Sequence, residues 1–301
     1  VEPLLLADLC NPAPQPFLDT STPLEEARYV LVGAPFDGTS SYRSGSRFAP
    51  AAIRQASRYM ETYSLRTGLD RGDVSVADAG DTKIADRVEE VLRGVEAALK
   101  RVRETGKVPV LLGGEHTVTL GALRALKPDL VVSLDAHLDL RDRLLGLELS
   151  HATFMRRALE ELDHRLIVLG CRALSREELS FVESNADRVV VVTAADLKGG
   201  AGPGVDAVRR ELDAVSSAYL SIDLDVLDPA SAPAVGNPSP EGLSVAVLLD
   251  LIAGATDARF LGFDLTEVTP HYDSGLTATQ AAYITLETLY SLESARRASW
   301  V

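Results

Sequence analysis

What most constrains this chain is an alternation that runs almost its whole length: short apolar runs rich in Val, Leu and Ile, each followed by a helical pattern. "RYVLVGAP" (28–35), "DVSVADAG" (73–80), "KVPVLLGG" (107–114) and "DLVVSLDA" (129–136) read as strands. So do "RLIVLGC" (165–171), "RVVVVT" (188–193), "AYLSIDLD" (218–225) and "ARFLGFDL" (258–265). Helical patterns fall near 49–59, 85–104, 117–127, 151–162, 175–185, 204–214, 244–254 and 277–296. "VEEVLRGVEAALKRV" is the clearest, with apolar residues at three- and four-residue intervals. Strands apolar on both faces and separated by helices imply a parallel sheet covered on both sides. The expectation is a three-layer α/β/α fold around a mostly parallel sheet of about eight strands. No repeat, low-complexity tract or linker divides the 301 residues. A single domain is expected over 1–301, with residues 1–27, including "NPAPQP" (11–16), as an N-terminal arm.

The formal charge of −14 argues against a nucleic-acid partner, because phosphate binding needs a basic surface. It suits cationic partners instead: metal ions, amines or guanidinium compounds. No apolar stretch approaches the ~18 residues of a membrane span, and no signal segment opens the chain, so a cytoplasmic protein is expected. Cys10 and Cys171 lie far apart with no CxxC spacing, so neither a disulfide framework nor a thiolate zinc site is expected. Cys171 ends an apolar run and reads as core. His164, at a polar helix end, reads as a surface residue. "GGAGPG" (199–204) lacks the Lys-Ser/Thr of a phosphate loop and reads as a helix entry.

Three strand ends carry the chemistry. "VLLGGEHT" ends in His116, "VVSLDAHLD" in Asp135, His137 and Asp139, and "YLSIDLDVLDP" in Asp223 and Asp225. In extended chain every second side chain points the same way, so each set enters one small volume. Carboxylates buried together are costly unless a cation or hydrogen bonds compensate them. Six such groups suit two metals, roughly 3.5–4 Å apart with two carboxylates bridging. Oxygen donors with one imidazole per ion fit Mn²⁺ better than zinc. The Pro/Gly loop 228–242 directly follows a strand and is a site candidate, since ligands of open α/β sheets bind beyond the carboxyl ends of the strands.

In order along the chain, "GGEHTVTLG", "SLDAHLDLRD", "LSHATFMRR", "SIDLDVLDPASAP" and "FDLTEVTPHYD" resemble the motifs of the arginase/agmatinase (ureohydrolase) family, nearest its agmatinase branch. "GAPFDGTSSYRSGSRFAPAAIRQAS" (33–57) extends the resemblance, which spans roughly residues 30 to 290. The resemblance implies that His116, Asp135, Asp139 and Asp223 hold one Mn²⁺ and that His137, Asp135, Asp223 and Asp225 hold the other. It makes His151 the residue that relays a proton to the leaving amine and Glu267 the anchor of a substrate guanidinium. Glu115 stands where the family usually has Asp, and "SHAT" replaces "SHGT"; neither change removes a ligand. Whether His271, close after Glu267, lines the same pocket is left open.

The implied reaction is hydrolysis of agmatine to putrescine and urea, a step towards polyamines. Arginases carry an Asn/Thr-rich segment after this Asp-x-His-x-Asp motif, whereas this chain has "LRDRLLGLELSH" (140–151), without Asn or Thr. Other guanidino substrates remain open: arginine, guanidinobutyrate or an aminopropyl agmatine, as does formimidoylglutamase activity. A two-metal phosphoesterase is the distant alternative, and its Gly-Asp and Gly-Asn-His elements are missing. The family implies a homo-oligomer, trimer or hexamer, and no membrane partner.

Overall fold

The computed structural model describes residues 5–298. Its centre is one nine-stranded sheet. The strands are β1 (Cys10–Asn11), β2 (Tyr29–Ala34), β3 (Val76–Thr82), β4 (Val108–Gly113), β5 (Leu130–Leu134), β6 (Arg165–Cys171), β7 (Val189–Thr193), β8 (Ala218–Asp223) and β9 (Phe260–Thr266). The eight expected strands are β2 to β9, all parallel. The ninth, β1, comes from the N-terminal arm and pairs antiparallel with β3 at the sheet edge. Two residues without an apolar run gave no pattern to read. The arm also sinks Phe17 and Leu18 into the core, and the Phe17 N–H donates to Asp78 at 2.8 Å. Residues 1–4 of the arm lie outside the described residues.

The helices are α1 (Leu6–Leu9), α2 (Ala49–Ser57), α3 (Val88–Glu104), α4 (Thr119–Leu126), α5 (Phe154–Glu161), α6 (Arg176–Ser184), α7 (Gly202–Leu212), α8 (Val245–Ala255) and α9 (Leu276–Ala298). In α3 the apolar stripe Val91, Leu92, Val95, Ala98, Leu99 and Val102 is buried. Its Glu89 and Glu90 sit in the first turn, Arg101 and Arg103 in the last, each sign matching the helix dipole. Two cores result from the pleat. Tyr29 and Leu31 of β2 belong to the core shared with α2, α7, α8 and α9, while Val30 and Val32 belong to the core shared with α3, α4 and α5. Among the described residues no helix is long and apolar enough to cross a membrane.

Strand order is what positions the site. The sheet runs β1-β3-β2-β4-β9-β8-β5-β6-β7, so β4 and β5, consecutive in sequence, are separated in space by β9 and β8. Strand progression reverses here, which opens a crevice beyond the carboxyl ends of these four strands. Register aligns their ends. Leu134 pairs with Ile222, so Asp135 and Asp223, one residue on, stand side by side. Asp223 in turn pairs with Thr266, which precedes Glu267.

His164 departs from expectation: it is 3% exposed, not a surface residue. Helix α5 ends at Glu161, and His164 already follows the parity of β6, pointing inward with Leu166 two residues on. Arg188 closes over it, donating to the carbonyls of Leu159, Leu162 and His164. Neither ring nitrogen has a hydrogen-bond partner. Burial, helped by Arg188, pushes the imidazole from 6.5 down to about 4. The unfolded chain therefore takes up this proton first as pH falls. The neutral ring's contribution is complete above pH 6.5 and is lost progressively towards pH 4. Between pH 8 and pH 5 the native chain should lose about 2 kcal/mol more stability than His164→Phe. Urea unfolding of both at the two pH values checks this, and parallel pH dependence would refute it.

Candidate metal centre

The first imidazole of the crevice enters from a tight turn. After β4 the chain passes Gly114, where a Cβ would lie 1.9 Å from the Phe36 carbonyl oxygen; only glycine lets the two backbones approach this closely. His116 follows, 1% exposed. Its Nδ1 lies 3.2 Å from Asp135 Oδ2, 3.1 Å from Asp139 Oδ2 and 3.2 Å from Asp223 Oδ2. His137 Nδ1 lies 2.9 Å from Asp225 Oδ2 and 3.7 Å from Asp135 Oδ1. Two metal-competent groups emerge, His116–Asp135–Asp223 and Asp135–His137–Asp225, with Asp135 common to both. All six residues singled out in the sequence thus meet in one place.

Backbone N–H groups turn the carboxylates so that one oxygen of each stays free. Asp135 Oδ1 accepts from His137 N–H at 2.6 Å, Asp223 Oδ1 from Asp225 N–H at 2.8 Å, and Asp225 Oδ1 from Ala136 N–H at 3.2 Å. In each case Oδ2 faces an imidazole, and Asp135 Oδ1 lies 3.7 Å from His137 Nδ1 as well. Asp139 reaches the cluster with φ at +55°, a left-handed conformation that Asp tolerates better than most residues.

Whether a cation fits is decided by the His116 tautomer. Ser221 Oγ–H donates to Asp264 Oδ1 at 2.7 Å, and Tyr219 O–H donates to Asp264 Oδ2 at 2.9 Å. The Ser221 oxygen can then only accept from His116 Nε2–H, 2.8 Å away. In the neutral ring this leaves Nδ1 without a proton, buried, without a hydrogen-bond partner and aimed at three carboxylate oxygens. Four acceptors facing one another repel unless a positive charge lies between them. The charge balance agrees. Burial and neighbouring Asp135 push Asp139 up to about 7. Burial alone would depress His116, yet the carboxylates hold it well above its ordinary value, so without a cation between them Nδ1 takes up a proton instead. The donor set fits a divalent cation, and oxygen dominance favours a hard ion.

The two residues assigned roles outside the cluster line the same cavity, of about 390 Å³, together with His116, His137, Asp139, Asp223 and Asp225. Glu267 is 5% exposed and sits at φ +67°. That strained conformation, worth roughly 1–3 kcal/mol, is held from three sides. Glu267 Oε1 accepts from His116 N–H at 2.7 Å, its N–H donates to the Gly114 carbonyl at 2.8 Å, and its carbonyl accepts from Gly236 N–H at 3.3 Å. A Cβ on Gly236 would come within 2.5 Å of Glu267 Oε2. The loop 228–242 thus borders the site, and Asn237 lines the cavity. Burial and Glu115 push Glu267 up to about 8. His151 is 7% exposed, with Nε2 3.1 Å from Ser41 Oγ, and burial pushes it down to about 4. His271 stands outside, edge-on to Phe48 with ring centroids 4.8 Å apart, and is not among the residues lining the cavity.

Sequence reasoning passed over Ser221, Asp264, Thr39 and Ser41. Ser221 lies two residues before Asp223 on the same face of β8, so period two alone could have flagged it. Thr39 and Ser41 sit in a loop, where no period exists to follow.

Fold and site together define a class: an α/β enzyme with a metal-competent centre at the carboxyl ends of its strands. The Arginase family model matches residues 27–290, and the chain belongs to that family. Within it, the chain is 38% identical to N(1)-aminopropylagmatine ureohydrolase of Thermococcus kodakarensis, over 86% of this chain and 88% of that protein. It is 35% identical to an agmatinase of Pyrococcus horikoshii, over 86% and 90% of the two. The crystal structure of agmatine ureohydrolase of Thermoplasma volcanium superposes with a TM-score of 0.86 at 38% identity, covering 95% of this chain and 97% of that one. The chain falls in the agmatinase branch of the family.

Removing the acceptor that sets the His116 tautomer should weaken metal binding without touching a ligand. Ser221→Ala is expected to raise the metal dissociation constant about 10–100-fold, the usual effect of losing such a partner. Calorimetric Mn²⁺ titration of the metal-stripped protein measures it; unchanged affinity would show that the ring is oriented by other means.

Proposed function

We propose that this protein is a binuclear manganese ureohydrolase that cleaves agmatine to putrescine and urea. One observation carries the reading: His116, His137, Asp139, Asp223 and Asp225 share a cavity with Glu267 and His151, and Asp135 joins the two metal-competent groups. His116, Asp135, Asp139 and Asp223 would hold one ion, and His137, Asp135, Asp223 and Asp225 the other. When bound, the pair supplies the positive charge that activates water as a nucleophile at neutral pH.

The remaining steps belong to the chain. The Glu267 carboxylate accepts N–H groups of the planar guanidinium and turns its carbon towards the metal cluster. The closed backbone cage around Glu267 keeps that carboxylate in place while the substrate enters. His151 carries to the leaving amine the proton that the attacking water gives up.

Agmatine is favoured by the far wall. Leu144, Ala173 and Leu174 offer apolar surface to a run of methylenes. Arg141, a group that could greet an α-carboxylate, is engaged by Glu178, with Nε and Oε2 3.6 Å apart. The relatives named for agmatine and aminopropylagmatine support the same substrate class.

Urea release across agmatine, aminopropylagmatine, guanidinobutyrate and arginine tests the reading. Agmatine should exceed arginine at least about tenfold in kcat/KM, or ~1.4 kcal/mol in transition-state binding. Equal efficiency on arginine would overturn the choice of substrate, and no urea from any of the four would overturn the activity. Active protein should contain two Mn²⁺ per chain and lose activity to a chelator, with Mn²⁺ restoring it before Zn²⁺. Elemental analysis finding one ion, or none, in fully active protein would overturn the binuclear assignment.

A further inference from the structure

Glu115 is fully buried beside the metal cluster, yet it turns away from it. Its hydrogen-bond partners all come from other hydroxyls and a loop amide. Oε2 accepts from Thr39 N–H at 2.8 Å, and Oε1 accepts from Thr39 Oγ1 and from Thr117 Oγ1, each at 2.5 Å. Ser40 Oγ adds a longer contact at 3.5 Å. No Lys or Arg takes part in these bonds. A buried carboxylate that takes most of its hydrogen bonds from the loop of Thr39 and Ser40 holds that loop firmly, because each donor lost would leave buried charge less compensated.

The consequence falls on His151. With its hydroxyl proton committed to Glu115, Thr39 Oγ1 has two lone pairs left and no proton to give. One lone pair receives the backbone N–H of His151 at 3.1 Å. The other faces His151 Nδ1 at 3.4 Å, so Nδ1 must be the protonated nitrogen. That leaves Nε2, beside Ser41 Oγ at 3.1 Å on the cavity side, as the nitrogen free to take and give a proton.

We infer that Glu115 and Thr39 are positioning residues that fix the tautomer and orientation of His151, so that only Nε2 exchanges protons with the reacting groups. The inference rests on the reading of His151 as proton carrier. Water attacks the guanidino carbon and gives its proton to Nε2. As the carbon–nitrogen bond breaks, its electron pair stays on the amine nitrogen, which takes that proton from Nε2. The ring returns to neutral with Nδ1–H still on Thr39, ready for the next turnover.

Steady-state kinetics on the Mn²⁺-loaded enzyme with agmatine separate the possibilities, metal content being checked in each variant. Thr39→Val keeps shape but neither accepts from His151 nor donates to Glu115. It should lower kcat at least about tenfold and leave KM within about twofold, a fraction of what a positioned proton carrier contributes. Thr39→Ser keeps the hydroxyl and should recover kcat to within about threefold. In a His151→Asn background, Thr39→Val should cost less than about twofold further, because the residue it positions is gone. Wild-type kcat in Thr39→Val, alongside a slow His151→Asn, overturns this inference and leaves the His151 reading standing. Wild-type kcat in His151→Asn overturns both. Equal cost of Thr39→Val in the two backgrounds marks a merely structural role and overturns the inference. Should Thr39→Val fail to fold, Glu115→Gln replaces it: its amide can donate where the carboxylate accepts, and kcat should fall with KM held. An unchanged kcat there overturns the inference equally.

Discussion

The mutual repulsion of carboxylates held out of water at the ends of neighbouring strands is the constraint on which the rest of this structure depends. Asp135, Asp223 and Asp225 are each at most 3% exposed, and Asp139 is 7% exposed. Such a cluster persists only if its scaffold costs more to deform than the repulsion would release. The parallel sheet provides that scaffold. Four strands, β4, β9, β8 and β5, end at one level because the ladders fix their register towards that end, and apolar layers on both faces leave no room for a strand to slip. Backbone amides then hold one oxygen of three of these carboxylates, which leaves the other facing an imidazole.

Two more buried carboxylates flank the cluster and stay outside it. Asp264, on β9, orients Ser221 and through it His116; Glu115, just after β4, orients Thr39 and through it His151. In both relays a carboxylate accepts a hydrogen bond from a hydroxyl, and the hydroxyl oxygen then accepts from a ring nitrogen. The imidazole is left with one committed nitrogen and one available for chemistry. The same small device, used twice, would give one histidine a lone pair for a metal and the other a site for a proton in the proposed reaction. Local strain is confined to residues that such contacts over-determine, Glu267 at φ +67° among them.

Much of this was legible before the structure. Eight strands and their helices follow from apolar periodicity, because a parallel sheet covered on both faces demands uninterrupted apolar runs. The six metal-competent residues are legible because strand periodicity is local: Asp135, His137 and Asp139, or Asp223 and Asp225, alternate within one short stretch. The antiparallel edge strand Cys10–Asn11 was not legible, since two residues carry no period and pair only because β3 presents an open edge. His164 misled because its neighbours are polar, while its own direction is set by the strand it leads into.

Tertiary structure alone decided the rest. Residues 116, 135 and 223 become neighbours only when β9 and β8 insert between β4 and β5, and strand order is set by crossover packing that no single segment encodes. The partners of the two histidines were likewise out of reach: Thr39 and His151 are separated by 112 positions, and His116 and Ser221 by 105. Periodicity reports which way a side chain points from its own backbone. What it points at depends on how distant segments pack, and that is where charge, tautomer and site are settled.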